Sequence, residues 1–432
     1  MHIRFVYPRF DRPGDSNPEL REFVCAESYC GTPSLAIAIL AGVTPAHHSV
    51  DLRDDRVEPP GFDDPVDLVA IPIFTPAATR AFEIAREFRS RGVKVVAGGV
   101  FTSLMPDEVA LHVDALVVGE GEPVWPRLLD DAERDCLQPV YQYDSVWDLA
   151  QVQHTPRYDL YLDKFAQFGN PDQVAHLDLP LQISRGCPLT CDDCVIPPYM
   201  GGRVRLFPPE WVASCFQALA GPGPRRGVCL TEDISILPMP SVIKHLQRVV
   251  DLCEGIGPRV SYIGVSPQFV LQAKPAFFDA LRRLDTLQLY LVFGFDPMSQ
   301  RAFNASPDPR ALANAVAAVQ RTYDEGLHAY CSLSIGHDRE DESAFDQVLE
   351  FIARADVKGA EFPILTPYPG TPMWSRLLEE DRILHRDWSR YNDANVVFQP
   401  AGYSPERLLQ GYLDIWREHY KDERRTALPI QV

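Results

Sequence analysis

The chain has 432 residues, of which 46% are hydrophobic and 23% charged, so it is long enough for two or three domains with separate cores. Its 41 Lys and Arg residues against 60 Asp and Glu residues give a formal net charge of −19, which argues against a nucleic-acid backbone as partner. No apolar run reaches the length of about eighteen residues that a membrane span needs, and ten cysteines without a signal peptide predict a cytoplasmic protein with reduced thiols.

Residues 1–138 alternate apolar strand patterns with amphipathic helix patterns. Strands are predicted at His2–Tyr7, Ser49–Leu52, Leu68–Phe74, Val93–Ala97 and Ala115–Val118, and helices at Pro33–Leu40 and Ala77–Arg91. This alternation predicts a doubly wound, Rossmann-like parallel sheet, in which ligands bind beyond the carboxyl ends of the strands. Candidate binding positions at that edge are Thr75, Gly98, Gly99, Gly119 and Glu120, although plain tight turns would also explain them.

Residues 139–178 are polar and aromatic and are predicted to form an ordered connector. A second alternation fills residues 179–370, with strand patterns at Leu181–Ser184, Val228–Leu230, Val260–Gly264, Leu287–Phe293, Ala329–Ile335 and Ala360–Leu365. Six strand–helix units predict a partial (β/α)6 barrel of the TIM type, with its chemistry at the strand carboxyl ends. Residues 371–432 are predicted to be a helical extension, whose amphipathic stretch Ser404–Tyr420 packs on the barrel.

Three cysteines carry the strongest functional signal in the chain. Cys187, Cys191 and Cys194 have the spacing CxxxCxxC and follow the first predicted barrel strand. A four-iron cluster normally takes four cysteine ligands, so three cysteines would leave one iron open. An open coordination position is typical of a catalytic metal site.

This motif, after the first strand of six strand–helix units, resembles the radical S-adenosylmethionine superfamily. The stretches Val95–Gly99, Val117–Glu122 and Thr366–Pro372 resemble its cobalamin-binding branch, and the subgroup with hopanoid C-methylases is the most similar. The resemblance covers about residues 1–400. It implies a cobalamin-binding domain at residues 1–138, followed by a cluster-bearing barrel.

The resemblance also implies a chemistry. S-adenosylmethionine would chelate the open iron of a 4Fe-4S cluster and yield a 5′-deoxyadenosyl radical, and methylcobalamin would methylate the resulting substrate radical. The implied substrate is a small natural product or lipid, and the implied electron donor is a flavodoxin or a ferredoxin. Rearrangement, cyclisation or oxidation without methyl transfer is the alternative reaction.

Several residues are carried over from the family by position. The acidic pair Glu232 and Asp233 matches the site for the amino group of S-adenosylmethionine, and a solvated loop is its alternative reading. Ser266 and Gln268 match a position near the ribose or the methionine end, and Gly336 matches a turn near the adenine. Asp296 stands where relatives often have Glu.

The sequence departs from the family pattern in two places. Asp193 precedes the third cysteine, where relatives usually have an aromatic residue. The DxHxxG signature that supplies a cobalt ligand is absent, which fits either cobalamin bound without a protein imidazole or a domain that has lost cobalamin.

Two other interpretations of the sequence stay open. A zinc-stabilised binding protein, with His154 or His176 as fourth ligand, is the remote alternative. Arg203 and Arg205 could belong to a basic patch, but scattered surface charge is the favoured interpretation.

Overall fold

The first part of the chain folds around a six-stranded parallel sheet. The computed structural model describes residues 1–23, 33–168, 178–220, 227–230, 239–293 and 310–421. The strands are β1 (His2–Tyr7), β2 (Ser49–Asp54), β3 (Leu68–Pro72), β4 (Lys94–Gly98), β5 (Ala115–Val118) and β6 (Val140–Gln142). They lie in the order β2-β1-β3-β4-β5-β6, so the direction of winding reverses between β1 and β3. Such a reversal opens a crevice at the carboxyl ends of these two strands.

The helices of this part lie between the strands, as the alternating pattern predicts. They are α1 (Pro13–Ser16), α2 (Leu35–Val43), α3 (Ala78–Ser90), α4 (Val100–Leu104), α5 (Pro106–Val109) and α6 (Trp125–Glu133). In α3, Ala85 and Phe88 are fully buried while Arg86 and Arg89 are exposed, which matches the predicted apolar face. The sheet continues past the predicted domain boundary at residue 138, because β6 pairs in parallel with β5.

The predicted connector contains a short 3-10 turn at Leu149–Gln151 and a helix, α7 (Asp159–Phe168). Beyond it, the described chain forms β7 (Asp178–Leu181) and then a small antiparallel hairpin of β8 (Ser184–Arg185) and β9 (Arg205–Leu206). The predicted strand Leu181–Ser184 therefore spans the end of one strand and the start of another. A short helix, α8 (Ile196–Met200), lies between the two hairpin strands.

A second parallel sheet of six strands forms the partial barrel. Its further strands are β10 (Gly227–Leu230), β11 (Arg259–Val265), β12 (Gln288–Phe293), β13 (His328–Leu333) and β14 (Gly359–Glu361). Its helices are α9 (Pro209–Leu219), α10 (Pro240–Cys253), α11 (Pro267–Gln272), α12 (Pro275–Arg283), α13 (Arg310–Asp324) and α14 (Ser343–Ala355). The strands lie in chain order from β7 to β14, which leaves the described sheet open and confirms the predicted α/β class with a partial (β/α)6 barrel.

The C-terminal extension contains α15 (Pro372–Glu379), a 3-10 turn at Trp388–Arg390 and α16 (Pro405–Tyr420). Helix α16 packs on the second sheet, as predicted, and its Trp416 meets Phe362 edge-on at 5.3 Å. The earlier part of the extension instead packs on the first sheet, where Trp388 and Tyr391 share one apolar cluster with Val69. Within the described ranges, no helix has both the length and the apolar character needed to span a bilayer.

Candidate cofactor site

The three cysteines lie on the cysteine loop, residues 186–195, which leaves β8 and ends at α8. Gly186 has a φ of +82°, and a Cβ atom there would lie 2.3 Å from the carbonyl oxygen of Arg203. The amide of Cys187 donates a hydrogen bond of 3.2 Å to the carbonyl of Gly201. The start of the loop is therefore fixed against the chain that returns towards β9, and only glycine fits at this point.

Burial differs among the three thiols. Cys187 is 6% exposed, whereas Cys191 and Cys194 are half-buried. Burial, together with the neighbouring Cys191, raises the pKa of Cys194 to about 12, although the amide of Ile196 opposes the shift by donating to its sulfur at 3.4 Å. A thiol with a raised pKa becomes a thiolate at neutral pH only when a metal binds it. The raised pKa therefore argues against a nucleophilic thiolate at Cys194, and the role of the three cysteines as cluster ligands stays a prediction.

A single zinc ion and a cubane cluster need different distances between their cysteine ligands. Zinc–sulfur bonds of about 2.3 Å would bring tetrahedral ligands to about 3.8 Å from one another. Among the described residues, the group whose ligand atoms converge within 4.8 Å is His47, His48 and Glu133, and the three cysteines do not converge to that degree. A cubane cluster binds each cysteine through a different iron and so fits a wider triangle.

A cavity lies at the crevice between β1 and β3, and we call it the switch-point cavity. Its space, with its open mouth, is about 670 Å³. The predicted residues Gly98, Gly99, Gly119 and Glu120 all line it. At Gly99, with a φ of +93°, a Cβ atom would lie 2.8 Å from the carbonyl oxygen of Ile73, so the backbone can take this course only with glycine.

The remaining lining is mostly apolar, and none of the described lining residues is a histidine. This composition fits a corrinoid held without a protein imidazole, which is one of the two interpretations that the missing DxHxxG signature leaves open. The predicted Thr75 is not part of the lining. It is 5% exposed and begins a 3-10 turn after β3.

Four buried charged side chains join the first sheet to the β8–β9 hairpin, and we call them the four-charge network: Glu120, Glu122, Arg185 and Arg205. The guanidinium of Arg185 contacts Glu120 at 2.9 Å and Glu122 at 2.7 Å, and Arg205 contacts Glu120 at 2.8 Å. Each of the four is at most 9% exposed. Burial opposes the charge on Arg185, but Glu122 and Glu120 outweigh this effect and raise its pKa.

The network changes the interpretation of two predicted features. The carboxylate of Glu120 is occupied by Arg185, by Arg205 and by the amide of Trp147, which donates to it at 2.9 Å. Glu120 therefore lines the cavity with its carboxylate already bound by protein groups. The interpretation of Arg205 as scattered surface charge is wrong, since it is buried in this network, whereas Arg203 is exposed.

The positions carried over for S-adenosylmethionine follow strands of the second sheet. Ser266 comes after β11, where its hydroxyl caps α11 by accepting from the amide of Phe269 at 3.1 Å. Gln268 lies half-buried in the first turn of that helix. Gly336 comes after β13 with a φ of +104°. Glu232, Asp233 and Asp296 lie outside the described residues, and all these roles stay predictions.

A second cavity connects the turn at Gly336 with the cysteine loop. Its lining includes His337, which follows Gly336, together with Asp192 and Met373. The amide of Met373 donates a hydrogen bond of 2.8 Å to the carbonyl of Asp192. Asp193, which stands where relatives usually have an aromatic residue, is half-buried beside Cys194. The turn predicted to meet the adenine thus opens on the same space as the loop predicted to hold the cluster.

Known proteins resemble this chain in sequence and in fold. No family model matches it. Bacteriochlorophyllide d C-8(2)-methyltransferase of Chlorobaculum tepidum is 27% identical over 407 residues, which cover 89% of this chain and 86% of that protein. Hopanoid C-2 methylase of Rhodopseudomonas palustris is 21% identical over 397 residues, which cover 88% of this chain and 73% of that protein.

Among solved structures, the radical S-adenosylmethionine methyltransferase TsrM of Kitasatospora setae, with cobalamin and a [4Fe-4S] cluster bound, has a TM-score of 0.67. It is 14% identical and covers 99% of this chain and 91% of its own. The resemblance to the cobalamin-binding radical S-adenosylmethionine enzymes is confirmed. The chain shares the fold of that branch over nearly its whole length.

Sequence reasoning did not find every residue of this site. Glu122, Arg185 and Arg205 were missed as ion-pair partners, and Tyr199 and Met200 were missed as lining of the switch-point cavity. A signal was available for Arg185, since it lies two residues before Cys187, in a segment with no other charge from Leu179 to Thr190. An isolated charge in such a segment requires a partner when it is buried.

Proposed function

We propose that the chain is a cobalamin-dependent radical S-adenosylmethionine enzyme that methylates an unactivated carbon of a small natural product or lipid. The observation that carries the proposal is the four-charge network. It ties the glycine-lined switch-point cavity of the first sheet to the cysteine loop before the second sheet. The two candidate cofactor sites, the switch-point cavity and the cysteine loop, therefore lie on either side of the four-charge network, and we call this boundary the seam.

The residues of the chain have separable roles in this proposal. When bound, a 4Fe-4S cluster, S-adenosylmethionine and cobalamin supply radical formation and methyl transfer. Cys187, Cys191 and Cys194 hold the cluster, and Gly336 and Ser266 belong to the turns that receive S-adenosylmethionine. The apolar walls of the switch-point cavity exclude water from the seam, which suppresses side reactions.

The substrate and the electron donor belong to the proposal as well. The relatives act on a bacteriochlorophyllide and on hopanoids, as their names state. We take these two compound classes as the first substrates to test. A flavodoxin or a ferredoxin in a reducing cytoplasm would supply the electron, because a cluster of this kind needs a donor of low potential.

Metal analysis of anaerobically purified protein, prepared with cobalamin supplied, tests the cofactors. We expect a brown protein with about four irons per chain and a corrinoid absorption band. The triple variant Cys187→Ala, Cys191→Ala, Cys194→Ala should lose the iron but still bind the corrinoid when cobalamin is supplied at a saturating concentration. A colourless wild-type protein with stoichiometric zinc would refute the proposal and support the binding-protein alternative.

Product analysis with methyl-labelled S-adenosylmethionine tests the reaction. We expect label in the product and 5′-deoxyadenosine released alongside it. If a product forms and carries no label, the methyltransferase assignment is wrong and the rearrangement alternative holds.

A further inference from the structure

We propose that the four-charge network couples corrinoid binding in the switch-point cavity to cluster assembly on the cysteine loop, with Arg185 as the positioning residue. This inference rests on the proposed function and adds a regulation to it. Each cofactor would bind more tightly when the other is present. We expect this coupling because the carboxylates of the network lie at the cavity and its guanidinium groups lie beside the cysteine loop.

The two carboxylates and the two guanidinium groups come from opposite sides of the seam. Glu120 and Glu122 lie in the turn after β5, which lines the switch-point cavity. Arg185 and Arg205 lie on β8 and β9, the hairpin from which the cysteine loop extends. The network therefore links the cavity to the loop through charged contacts of 2.7 to 2.9 Å.

The elements on both sides of the cysteine loop also form part of the cavity wall. Tyr199 and Met200 lie in α8, directly after Cys194, and both line the switch-point cavity. Arg205 fixes this helix, because its guanidinium donates a hydrogen bond of 2.9 Å to the carbonyl of Met200. Arg185 lines the same cavity two residues before Cys187. A cluster that orders the loop would therefore also order Arg185, Tyr199 and Met200, which would contact a corrinoid in the cavity.

Because the network is buried, it has only one arrangement in which all four charges are compensated. A charge that leaves its partner in this setting would remain buried and uncompensated, which costs far more than breaking an exposed ion pair. The loop and the cavity wall therefore become ordered together, because an arrangement that satisfies one side of the network satisfies the other. Since coupling between two binding sites is reciprocal, the corrinoid must favour cluster assembly by the same factor by which the cluster favours the corrinoid.

Titration of hydroxocobalamin into the full chain tests the coupling. The protein is prepared without iron and, in parallel, with a reconstituted cluster, and the two dissociation constants are compared. We expect binding to be about tenfold tighter with the cluster, within the usual range for coupled sites. In Arg185→Met the two constants should agree within about twofold. A simple folding defect would weaken both constants alike, so the ratio reports the coupling.

Two further variants keep the test decisive if Arg185→Met folds poorly. Glu122→Gln keeps the side-chain shape and removes one charge that faces Arg185, so it should lower the ratio while circular dichroism shows a native fold. Arg157→Gln is the matched control, because it breaks an exposed pair with Asp159 at 2.7 Å and should keep the wild-type ratio.

Three results would overturn the inference. Equal constants for the two wild-type forms would show that the sites are independent, and the proposed function would still stand. A wild-type ratio in both Arg185→Met and Glu122→Gln would show that the network does not carry the coupling. No corrinoid binding to either form would refute the proposed function together with the inference.

Discussion

At the scale of single residues, Gly186 sets the course of the cysteine loop. In Gly186→Ala, the new Cβ would meet the backbone of Arg203, which has no freedom to move away. We expect reconstituted iron to fall several-fold, measured per chain, with a lower melting temperature. Gly92→Ala is the control, since Gly92 has a similar φ of +79° and open space around its Cβ position. The control should lose only about 1–2 kcal/mol and keep its iron, and equal iron in both variants would contradict the prediction.

Asp393 is a second residue whose surroundings give a measurable expectation. Burial raises its pKa from 3.8 to about 6, although Tyr368 opposes the shift by donating to it at 2.9 Å. The folded state therefore holds a proton that the unfolded state releases, so wild-type stability falls as the pH rises from about 4 to 6. Asp393→Asn should gain stability relative to wild type across this window, by up to about 3 kcal/mol. Urea unfolding at several pH values measures it, and a pH-independent difference would contradict it.

At the scale of elements, α16 closes the outer edge of the second sheet. The hydroxyl of Tyr420 accepts from the amide of Ala360 at 2.9 Å and donates to the carbonyl of the same residue. Ala360 lies in β14, the last strand of the described sheet, so this hydroxyl satisfies backbone groups that face away from β13. An exposed strand edge with unpaired groups invites aggregation, and α16 prevents this here.

Tyr420→Phe should destabilise the protein by about 1–3 kcal/mol, because it leaves the buried amide of Ala360 without this acceptor. Chemical denaturation gives the free energy of unfolding. The matched control is Tyr323→Phe, whose hydroxyl donates to the carbonyl of Asp356 in a solvent-exposed bond of 3.2 Å, and it should cost less than about 1 kcal/mol. A loss in the control as large as in Tyr420→Phe would show that the edge contact has no special role.

Sequence patterns predicted most elements because each pattern is local. The helix predicted at Ala77–Arg91 is α3, from Ala78 to Ser90, and the amphipathic stretch predicted at Ser404–Tyr420 is α16, from Pro405 to Tyr420. The ion pairs of the network could not be predicted in this way. Arg185 and Glu120 are 65 residues apart, and Arg205 and Glu120 are 85 apart, so only the packing of the β8–β9 hairpin against the first sheet decides which charges meet.

At the scale of the whole molecule, the C-terminal extension binds the two sheets together. Trp388 is 4% exposed, packs its ring against Phe101 at 5.3 Å and donates to Glu108 at 2.5 Å. Trp374 of α15 meets Trp388 at 5.6 Å in the same apolar cluster, whereas α16 of the extension packs on the second sheet. The core of the first sheet therefore includes side chains from far beyond the second sheet in sequence, which no local pattern predicts.

Trp388→Ala should lower the free energy of unfolding by about 3–5 kcal/mol, the usual cost of a large buried cavity. We expect the first sheet to unfold before the second, so that a single thermal transition becomes two in differential scanning calorimetry. Leu384→Ala in the same extension is the control, since Leu384 is 49% exposed, and it should stay within about 0.5 kcal/mol of wild type. One unchanged transition in Trp388→Ala would contradict this account.

The late position of Trp374, Trp388 and Tyr391 has a consequence for synthesis on the ribosome. The first sheet emerges early, yet the apolar cluster that contains Val69 and Ile71 is completed only by residues made hundreds of codons later. At elongation rates of about 5–20 residues per second, this sheet waits for tens of seconds with an apolar face open to water. The nascent chain is therefore exposed to aggregation during that interval, and we expect its yield to depend on chaperones that bind such faces.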